Sequence, residues 1–272
     1  MELADDTLHS VIALVRKHTG IAMNEHKRVL LQGRLRPRLR ALGLDSWSGY
    51  IARLASDRNE VASFINSVTT NDTAFFRTPA VWRWLEQRFL PDWVARGEST
   101  PLRIWSAAAA TGEEAYSLAM TCLEYRKQAP DLRFEILSTD ISTDALETAQ
   151  KGVYRGRSVE RFEADYPALF KAYLRPVADG YRVTPEVAQQ VAFGEHNLLR
   201  KPPRTAGYDL VLLRNVLIYF DAEAQLQVLD GARAAMRPDA RLVLGEQESI
   251  TRLQTAFAFE QAHVYRIGGE KQ

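Results

Sequence analysis

The stretch that decides the fold is Leu102-Arg103-Ile104-Trp105, followed by Ser106-Ala107-Ala108-Ala109-Ala110-Thr111-Gly112 and then by Glu113-Glu114. A short β-type run enters a loop of small residues here, and a helical pattern over 113–126 comes directly after it. Small residues let a ligand approach the backbone, and the first turn of a helix offers free N–H groups. The stretch is therefore typical of a strand, a ligand-binding loop and a helix.

The sequence after this stretch predicts an α/β domain. It continues with further β-type runs, at 134–138, 209–213, 241–244 and 263–267. Helical patterns separate them, at 143–151 and 222–236. Because strands that alternate with helices form βαβ units, we expect a mostly parallel, doubly wound, Rossmann-like sheet.

The chain before this stretch has a different period. Four apolar stripes at helical spacing predict an all-helical N-terminal domain over 1–68, so that the α/β domain covers 69–272. One segment of the second domain breaks the alternation, because it carries turn signals at 166–167, 179–180 and 184–185. We expect a small antiparallel β-subdomain inserted at about 172–195, with strands at 181–183 and 191–193.

Composition excludes several classes of protein. Lys plus Arg (35) nearly balances Asp plus Glu (34), so nucleic-acid binding would need a local basic patch. The single cysteine, Cys122, excludes a disulfide framework, and none of the 5 histidines has metal-ligand spacing to Cys, Asp or Glu, so no metal is expected. The N-terminus lacks a signal-peptide pattern and no run is long enough to span a bilayer, so we expect a cytoplasmic protein.

The loop after residue 105 and the end of the next strand indicate the kind of ligand. Asp140 follows the run at 134–138, where an acidic side chain suits a ribose diol. The loop has only Gly112, and Glu113 and Glu114 would repel phosphate at the helix start. A nucleoside without phosphate fits better, and S-adenosylmethionine is such a cofactor. Glu113 would meet its ammonium or sulfonium end, although Glu113 serving only the helix N-terminus stays an open alternative.

Four motifs in order carry a resemblance to a known family. They are Thr69-Thr70-Asn71-Asp72-Thr73-Ala74-Phe75-Phe76-Arg77, Ile104-Trp105-Ser106 with Thr111-Gly112-Glu113-Glu114-Ala115-Tyr116-Ser117, Ser138-Thr139-Asp140-Ile141-Ser142, and Arg214-Asn215-Val216-Leu217-Ile218-Tyr219-Phe220-Asp221. Together they closely resemble the CheR-type chemotaxis receptor (protein-glutamate) methyltransferases over nearly the whole chain. Ala115, where proline is frequent in the family, and the segment Leu244-Gly245-Glu246-Gln247-Glu248-Ser249 depart from its pattern.

The resemblance implies an S-adenosylmethionine-dependent enzyme that forms methyl esters on glutamate side chains of chemoreceptors, for sensory adaptation. It also implies which residues bind the cofactor, S-adenosyl-L-methionine, and its product S-adenosyl-L-homocysteine. These positions are Asn71, Thr73, Arg77, Glu113, Asp140, Asn197, Leu198, Arg214 and Asn215. Asn197 and Leu198 are expected on the adenine side, and Arg214 and Asn215 beside the transferring methyl group.

Two residues are candidates for acting on the acceptor glutamate. Arg77 can grip a carboxylate through two parallel hydrogen bonds, and the Tyr219 hydroxyl can steer it. Both residues could instead have a purely structural role, with Arg77 paired to an acidic side chain and Tyr219 packed in the core.

A basic segment is the candidate surface for the cytoplasmic helical domain of the receptor. It contains Lys27, Arg28, Arg34, Arg36, Arg38 and Arg40. A solvated helix face is the alternative. The predicted turn at 174–181 is short and has one glycine, so we expect no dependence on a pentapeptide tether at the receptor's C-terminus.

Three other functions stay open at this point. A methyltransferase of the same build could act on another protein or a small acid, and a regulatory module could bind S-adenosylmethionine without turnover. A nucleic-acid methyltransferase would use the basic segment, but the chain lacks an Asn-Pro-Pro-Tyr-like motif.

Overall fold

The N-terminal part is a bundle of four helices in a computed structural model that describes residues 3–268. The helices are α1 (Asp5–Thr19), α2 (Arg28–Ala41), α3 (Trp47–Ser56) and α4 (Arg58–Val68). Leucine, valine and aromatic side chains on their facing sides form one buried cluster, which includes Leu8, Leu35 and Phe64. Helix α2 continues through Pro37 as a single element.

A short helical connection leads from the bundle to the sheet. It consists of α5 (Pro79–Trp84), one π-helical turn (Leu85–Phe89) and α6 (Leu90–Ala95). The buried rings of Trp82, Phe89 and Trp93 fasten this connection to the core of the second domain.

The second domain is built on a seven-stranded sheet, which confirms the predicted doubly wound α/β fold. The strands are β1 (Leu102–Ala107), β2 (Phe134–Asp140), β6 (Val191–Glu195), β7 (Tyr208–Leu213), β8 (Met236–Leu244), β9 (Phe257–Gln261) and β10 (Val264–Ile267). Their order is β6-β2-β1-β7-β8-β10-β9, and only the pairs that involve β10 are antiparallel. The order reverses between β1 and β7, so a ligand crevice is expected at the carboxyl ends of these two strands.

Helices cover both faces of the sheet. They are α7 (Glu113–Arg126), α8 (Thr143–Lys151) and α12 (Ala222–Ala235). Every residue of β7 is buried, as a central parallel strand requires.

A second, three-stranded antiparallel sheet lies between α8 and β6. It contains β3 (Val153–Tyr154), β4 (Leu174–Val177) and β5 (Gly180–Val183), in the order β3-β5-β4. Three helices accompany it: α9 (Arg157–Asp165), α10 (Pro167–Tyr173) and α11 (Pro185–Ala188). The presence of a small antiparallel sheet inserted in this domain was predicted and is confirmed.

The correction concerns the strand at 191–193. It was predicted as a hairpin partner of 181–183, but it belongs to β6 and pairs in parallel with β2, from Ile136↔Val191 to Asp140↔Glu195. The hairpin partner of β5 is β4 instead, through a two-residue turn. A short apolar run predicts a strand but not the sheet to which the strand belongs, because its pairing partner can be distant in sequence.

Within residues 3–268, every helix is too short or too polar to cross a membrane. The same residues bring together no group of three or more His, Cys, Asp or Glu side chains that could hold a metal ion.

Candidate functional site

A deep cavity lies at the carboxyl ends of β1, β2, β6 and β7, where the strand order reverses. Its empty space, including the open mouth, is about 910 Å³. Thr19 and Ile21 of the helical domain complete one wall. The main-chain bond from Ala22 N to the Tyr219 carbonyl (2.8 Å) and the bond from Asn197 Nδ2 to the His18 carbonyl (3.0 Å) fix this wall to the α/β domain.

Most of the predicted site residues meet in this cavity. Those in its lining are Asn71, Thr73, Arg77, Asp140, Asn197, Leu198, Arg214, Asn215 and Tyr219. They come from the segment after α4 and from the loops after β2, β6 and β7. Segments far apart in sequence are thus brought together because parallel strands end at the same edge of the sheet.

Asp140 is the acid at the end of β2. It is 8% exposed, and its carboxylate accepts hydrogen bonds from Ser142 N and Ala110 N, both at 2.8 Å. Burial raises the pKa of Asp140, while these backbone donors oppose the rise. A carboxylate can accept about four hydrogen bonds, so capacity remains for a ribose diol.

The loop after β1 approaches the cavity with strained backbone. Ala108 (φ 84°) and Ala110 (φ 47°) adopt left-handed conformations although they carry a Cβ atom. Both line the cavity, and Ala108 N and Ala109 N donate to the Thr139 carbonyl at 2.8 Å. Residues with such unfavourable φ values are retained where neighbouring contacts stabilise them, and they are frequent at ligand-binding sites.

Glu113 is the one predicted cofactor residue that lies outside the lining. It is 5% exposed, accepts a hydrogen bond from Thr111 Oγ1 (2.6 Å) and lies 3.4 Å from Ser158 Oγ. Burial raises its pKa. The next residue, Glu114, occupies the cavity wall instead, because a helix turns its successive side chains by about 100° and the sequence does not fix which one faces inward.

Glu114 forms a buried ion pair with Arg214. The Arg214 Nη1 to Glu114 Oε2 distance is 2.7 Å, and the side chains are 2% and 12% exposed. Ser106 Oγ donates to the other carboxylate oxygen at 2.9 Å. Arg214 Nη2 also bonds the Arg77 carbonyl (2.9 Å) and Thr78 Oγ1 (2.7 Å), so the pair ties the loops after β1 and β7 to the segment before α5.

Arg77 is held by its main chain while its side chain reaches the cavity. Trp82 Nε1 donates to the Arg77 carbonyl at 2.9 Å, and its neighbours Phe76 (φ 51°) and Thr78 (φ 63°) both have left-handed backbone. Among residues 3–268, its guanidinium bonds only the exposed Asp72, with 3.1 Å from Nη1 to the carbonyl oxygen and 3.6 Å to Oδ2. The side chain remains 37% exposed.

The basic segment divides into two groups. Arg28 bonds the Leu3 carbonyl and Asp5, Arg34 bonds the Val68 carbonyl (2.6 Å) and Thr70 Oγ1 (2.8 Å), and Arg38 pairs with the buried Glu60. The hydrogen bonds to Glu60 raise the pKa of Arg38.

The second group contains Lys27, Arg36 and Arg40. Lys27 and Arg40 are exposed, and Val29 on the same segment is 80% exposed. Arg36 is half-buried and bonds Gln32 at 3.3 Å within the same helix. The sequence could not distinguish the two groups, because a run of basic residues does not reveal which of them bond to other parts of the fold.

The residues in the cavity fit S-adenosylmethionine. Asp140 suits the ribose, and the buried Arg214 Nε without a hydrogen-bond partner suits the carboxylate of the methionine end. The wall has no glycine-rich phosphate cradle, because Ala108 and Ala110 place Cβ atoms where a pyrophosphate would need bare backbone.

Comparison with known proteins agrees with this geometry. The model of the CheR methyltransferase all-alpha domain matches residues 6–69, and that of the CheR methyltransferase SAM binding domain matches residues 71–266. The chemotaxis protein methyltransferase of Salmonella typhimurium is 35% identical over 277 residues, covering 100% of this chain and 93% of that protein. Chemotaxis protein methyltransferase 2 of Pseudomonas aeruginosa is 38% identical over 238 residues, covering 85% and 82%. This chain belongs to the CheR methyltransferase family and uses S-adenosylmethionine as its cofactor.

Proposed function

We propose that this protein methylates specific glutamate side chains of chemoreceptors, giving glutamate methyl esters and S-adenosylhomocysteine for sensory adaptation. The observation that carries the proposal is the state of the two arginines in the cavity lining. Arg214 forms a buried ion pair with Glu114, whereas the only acid that Arg77 meets in the described part of the chain is the exposed Asp72. A half-exposed, weakly paired guanidinium at the mouth of a methyl-donor site suits a carboxylate acceptor.

The chemistry needs positioning more than proton transfer. A glutamate side chain, with an ordinary pKa near 4.3, is already ionised at neutral pH, so the acceptor needs no general base. The cofactor supplies an electrophilic methyl group on a sulfonium. The partners in this displacement carry opposite charges that cancel, so alignment in a site poor in water is what the protein must provide.

Each side chain then has a defined task. Arg77 holds one oxygen of the acceptor carboxylate and leaves the other free to attack, and Tyr219 orients that carboxylate through its hydroxyl. Asp140 holds the ribose, Asn197 and Leu198 border the adenine, and Arg214 holds the methionine carboxylate. Asn71, Thr73 and Asn215 border the reacting end.

Three cations on α2 and the turn just before it are proposed to guide the receptor. Lys27, Arg36 and Arg40 lie on the helical domain, which forms one wall of the cavity through Thr19 and Ile21. A chemoreceptor's cytoplasmic helical bundle is acidic, so such a surface increases the rate of encounter.

We propose that methylation does not depend on binding of a receptor C-terminal pentapeptide to the inserted sheet. The β4–β5 hairpin turns through Ala178 and Asp179 alone, and the next residue, Gly180 (φ 136°), lies against the β3 backbone. A Cβ atom at Gly180 would lie 2.3 Å from the Tyr154 carbonyl oxygen, so the glycine is required where the tight turn packs against β3. A two-residue turn offers less surface to a peptide than a longer, glycine-rich loop would.

The decisive experiment supplies purified receptor cytoplasmic domain and methyl-labelled S-adenosylmethionine. We expect label on glutamate that mild base releases, since methyl esters hydrolyse there. Label that resists base would show a different acceptor, and binding of the cofactor without any transfer to receptors would favour a regulatory module.

A further inference from the structure

Glu248 is a buried carboxylate that the cavity lining does not include. It follows β8, is 8% exposed, and accepts four backbone hydrogen bonds. Oε1 accepts from Val216 N and Leu217 N, both at 2.7 Å. Oε2 accepts from Asn215 N at 2.8 Å and from Gly245 N at 2.7 Å.

Three of these donors belong to consecutive residues of the loop after β7. Asn215 has left-handed backbone (φ 59°), a conformation that a residue with a side chain adopts at a cost. Successive N–H groups that turn toward one point form an anion-binding concavity, and here the anion is Glu248. The carboxylate therefore offsets the strain at Asn215 and fixes the direction of the segment that follows.

The fourth donor ties this loop to the end of the neighbouring strand. A Cβ atom at Gly245 would lie 2.7 Å from both Asn215 Nδ2 and Glu248 Oε2, so only glycine leaves room for the arrangement. The same loop carries Asn215, which lines the cofactor cavity, and two residues beyond Leu217 it carries Tyr219. One carboxylate thus fixes a loop that contributes two side chains, Asn215 and Tyr219, to the cavity lining.

We propose that Glu248 is a positioning residue for the methyl transfer. It acts through the loop 215–219, holding Asn215 at the cofactor and Tyr219 at the acceptor, and does not touch either ligand. The part that concerns Tyr219 rests on the proposed function, whereas the part that concerns Asn215 depends only on the cofactor. Binding of S-adenosylhomocysteine without any acceptor therefore tests Glu248 even if the receptor is not the substrate.

The test compares Glu248→Gln with a matched control, Asp209→Asn. Gln keeps one acceptor oxygen, so two of the four N–H groups would face an amide NH₂ instead of an acceptor. Asp209 is an equally buried carboxylate at the opposite end of β7, where it accepts from Arg103 N (2.8 Å) and pairs with Arg237 (2.9 Å). Loss of its charge removes comparable fold contacts far from the cavity.

Calorimetric titration with S-adenosylhomocysteine is carried out at a temperature where circular dichroism shows both variants folded. We expect Glu248→Gln to bind about tenfold more weakly than the wild type, and Asp209→Asn to bind as the wild type does while its thermal midpoint falls. Wild-type affinity in Glu248→Gln would overturn the proposal, because the carboxylate would then serve the fold alone.

A second variant tests the proposal independently if Glu248→Gln folds poorly. Glu248→Ala leaves the four N–H groups free to bind a small carboxylate, so formate should restore S-adenosylhomocysteine binding and uncharged formamide should not. Binding that formate fails to restore, or a failure of both variants to fold, would overturn the assignment in favour of a purely structural role.

Discussion

Neutralising Glu114 and neutralising Glu113 should have opposite effects, although the two residues are adjacent. In Glu114→Gln, Arg214 loses its counter-charge inside the protein, with side chains that are 12% and 2% exposed. Removing one partner of such a buried pair costs about 3–5 kcal/mol, and we expect the lower end because the amide oxygen still accepts a hydrogen bond. At about 2–4 °C per kcal/mol for a chain of this size, the thermal midpoint should fall by roughly 6–12 °C.

Glu113→Gln should leave the midpoint unchanged or raise it at neutral pH. Burial raises the folded-state pKa of Glu113, so the folded protein binds this proton more tightly than the unfolded chain does. Stability from this group is therefore present at low pH and is lost as pH rises from the unfolded pKa, about 4.3, through the folded one. Glutamine does not ionise, so the Glu113→Gln variant avoids this loss of stability. The gain in its thermal midpoint over the wild type should therefore become smaller as pH falls toward 4.

Scanning fluorimetry from pH 4 to pH 8 and S-adenosylhomocysteine titration measure both effects. The cavity wall contains Glu114 and not Glu113, so ligand affinity should fall in Glu114→Gln only. A Glu114→Gln thermal midpoint within about 2 °C of the wild type, or an equal loss of affinity in Glu113→Gln, would refute the claim that Glu114 rather than Glu113 supports the cavity wall.

Three further predictions concern the acceptor side. Arg77→Lys should fold and bind S-adenosylhomocysteine but lose turnover on the order of a hundredfold, because the flexible ammonium cannot reproduce the fixed, planar donor geometry with which the guanidinium orients the carboxylate; receptor methylation at the wild-type rate would exclude this role. Raising ionic strength from about 0.01 M to about 0.15 M shortens the screening length from about 30 Å to about 8 Å, so kcat/KM for the receptor should fall while S-adenosylhomocysteine affinity stays constant; a rate insensitive to salt would contradict steering by Lys27, Arg36 and Arg40. Calorimetry with a receptor C-terminal pentapeptide should give no measurable heat of binding, and tight binding would show that the β4–β5 hairpin docks a tether after all.

The sequence was sufficient for the class of fold. Short strand runs such as 102–105 and 209–213 alternate with long helical patterns, so this alternation alone predicts a doubly wound sheet. The carboxyl-end position of Asp140 and Arg214 then followed from topology, since all parallel strands deliver their following loops to one edge.

Contacts distant in sequence account for what was missed. The run 191–193 has the same composition in either sheet, and only its pairing with β2 assigns it to the main one. Glu113 and Glu114 are chemically identical, so their different roles depend on the direction in which α7 leaves Gly112.

Other missed roles depend on partners that are backbone atoms. Glu248 belonged to a variant motif with no evident chemistry, because the N–H groups it binds carry no signature in sequence. Arg34 and Arg38 looked like part of a uniform basic run, yet each is committed to a contact within the helical domain.

The most direct test of the central claim is a calorimetric titration of the wild type and of Asp140→Asn with S-adenosylhomocysteine, with NAD as a competitor. A nucleoside cavity without a phosphate cradle predicts one-to-one binding in the wild type, weakening of about tenfold or more in Asp140→Asn, and no competition from NAD. Unchanged affinity in Asp140→Asn, or displacement of S-adenosylhomocysteine by NAD, would contradict it.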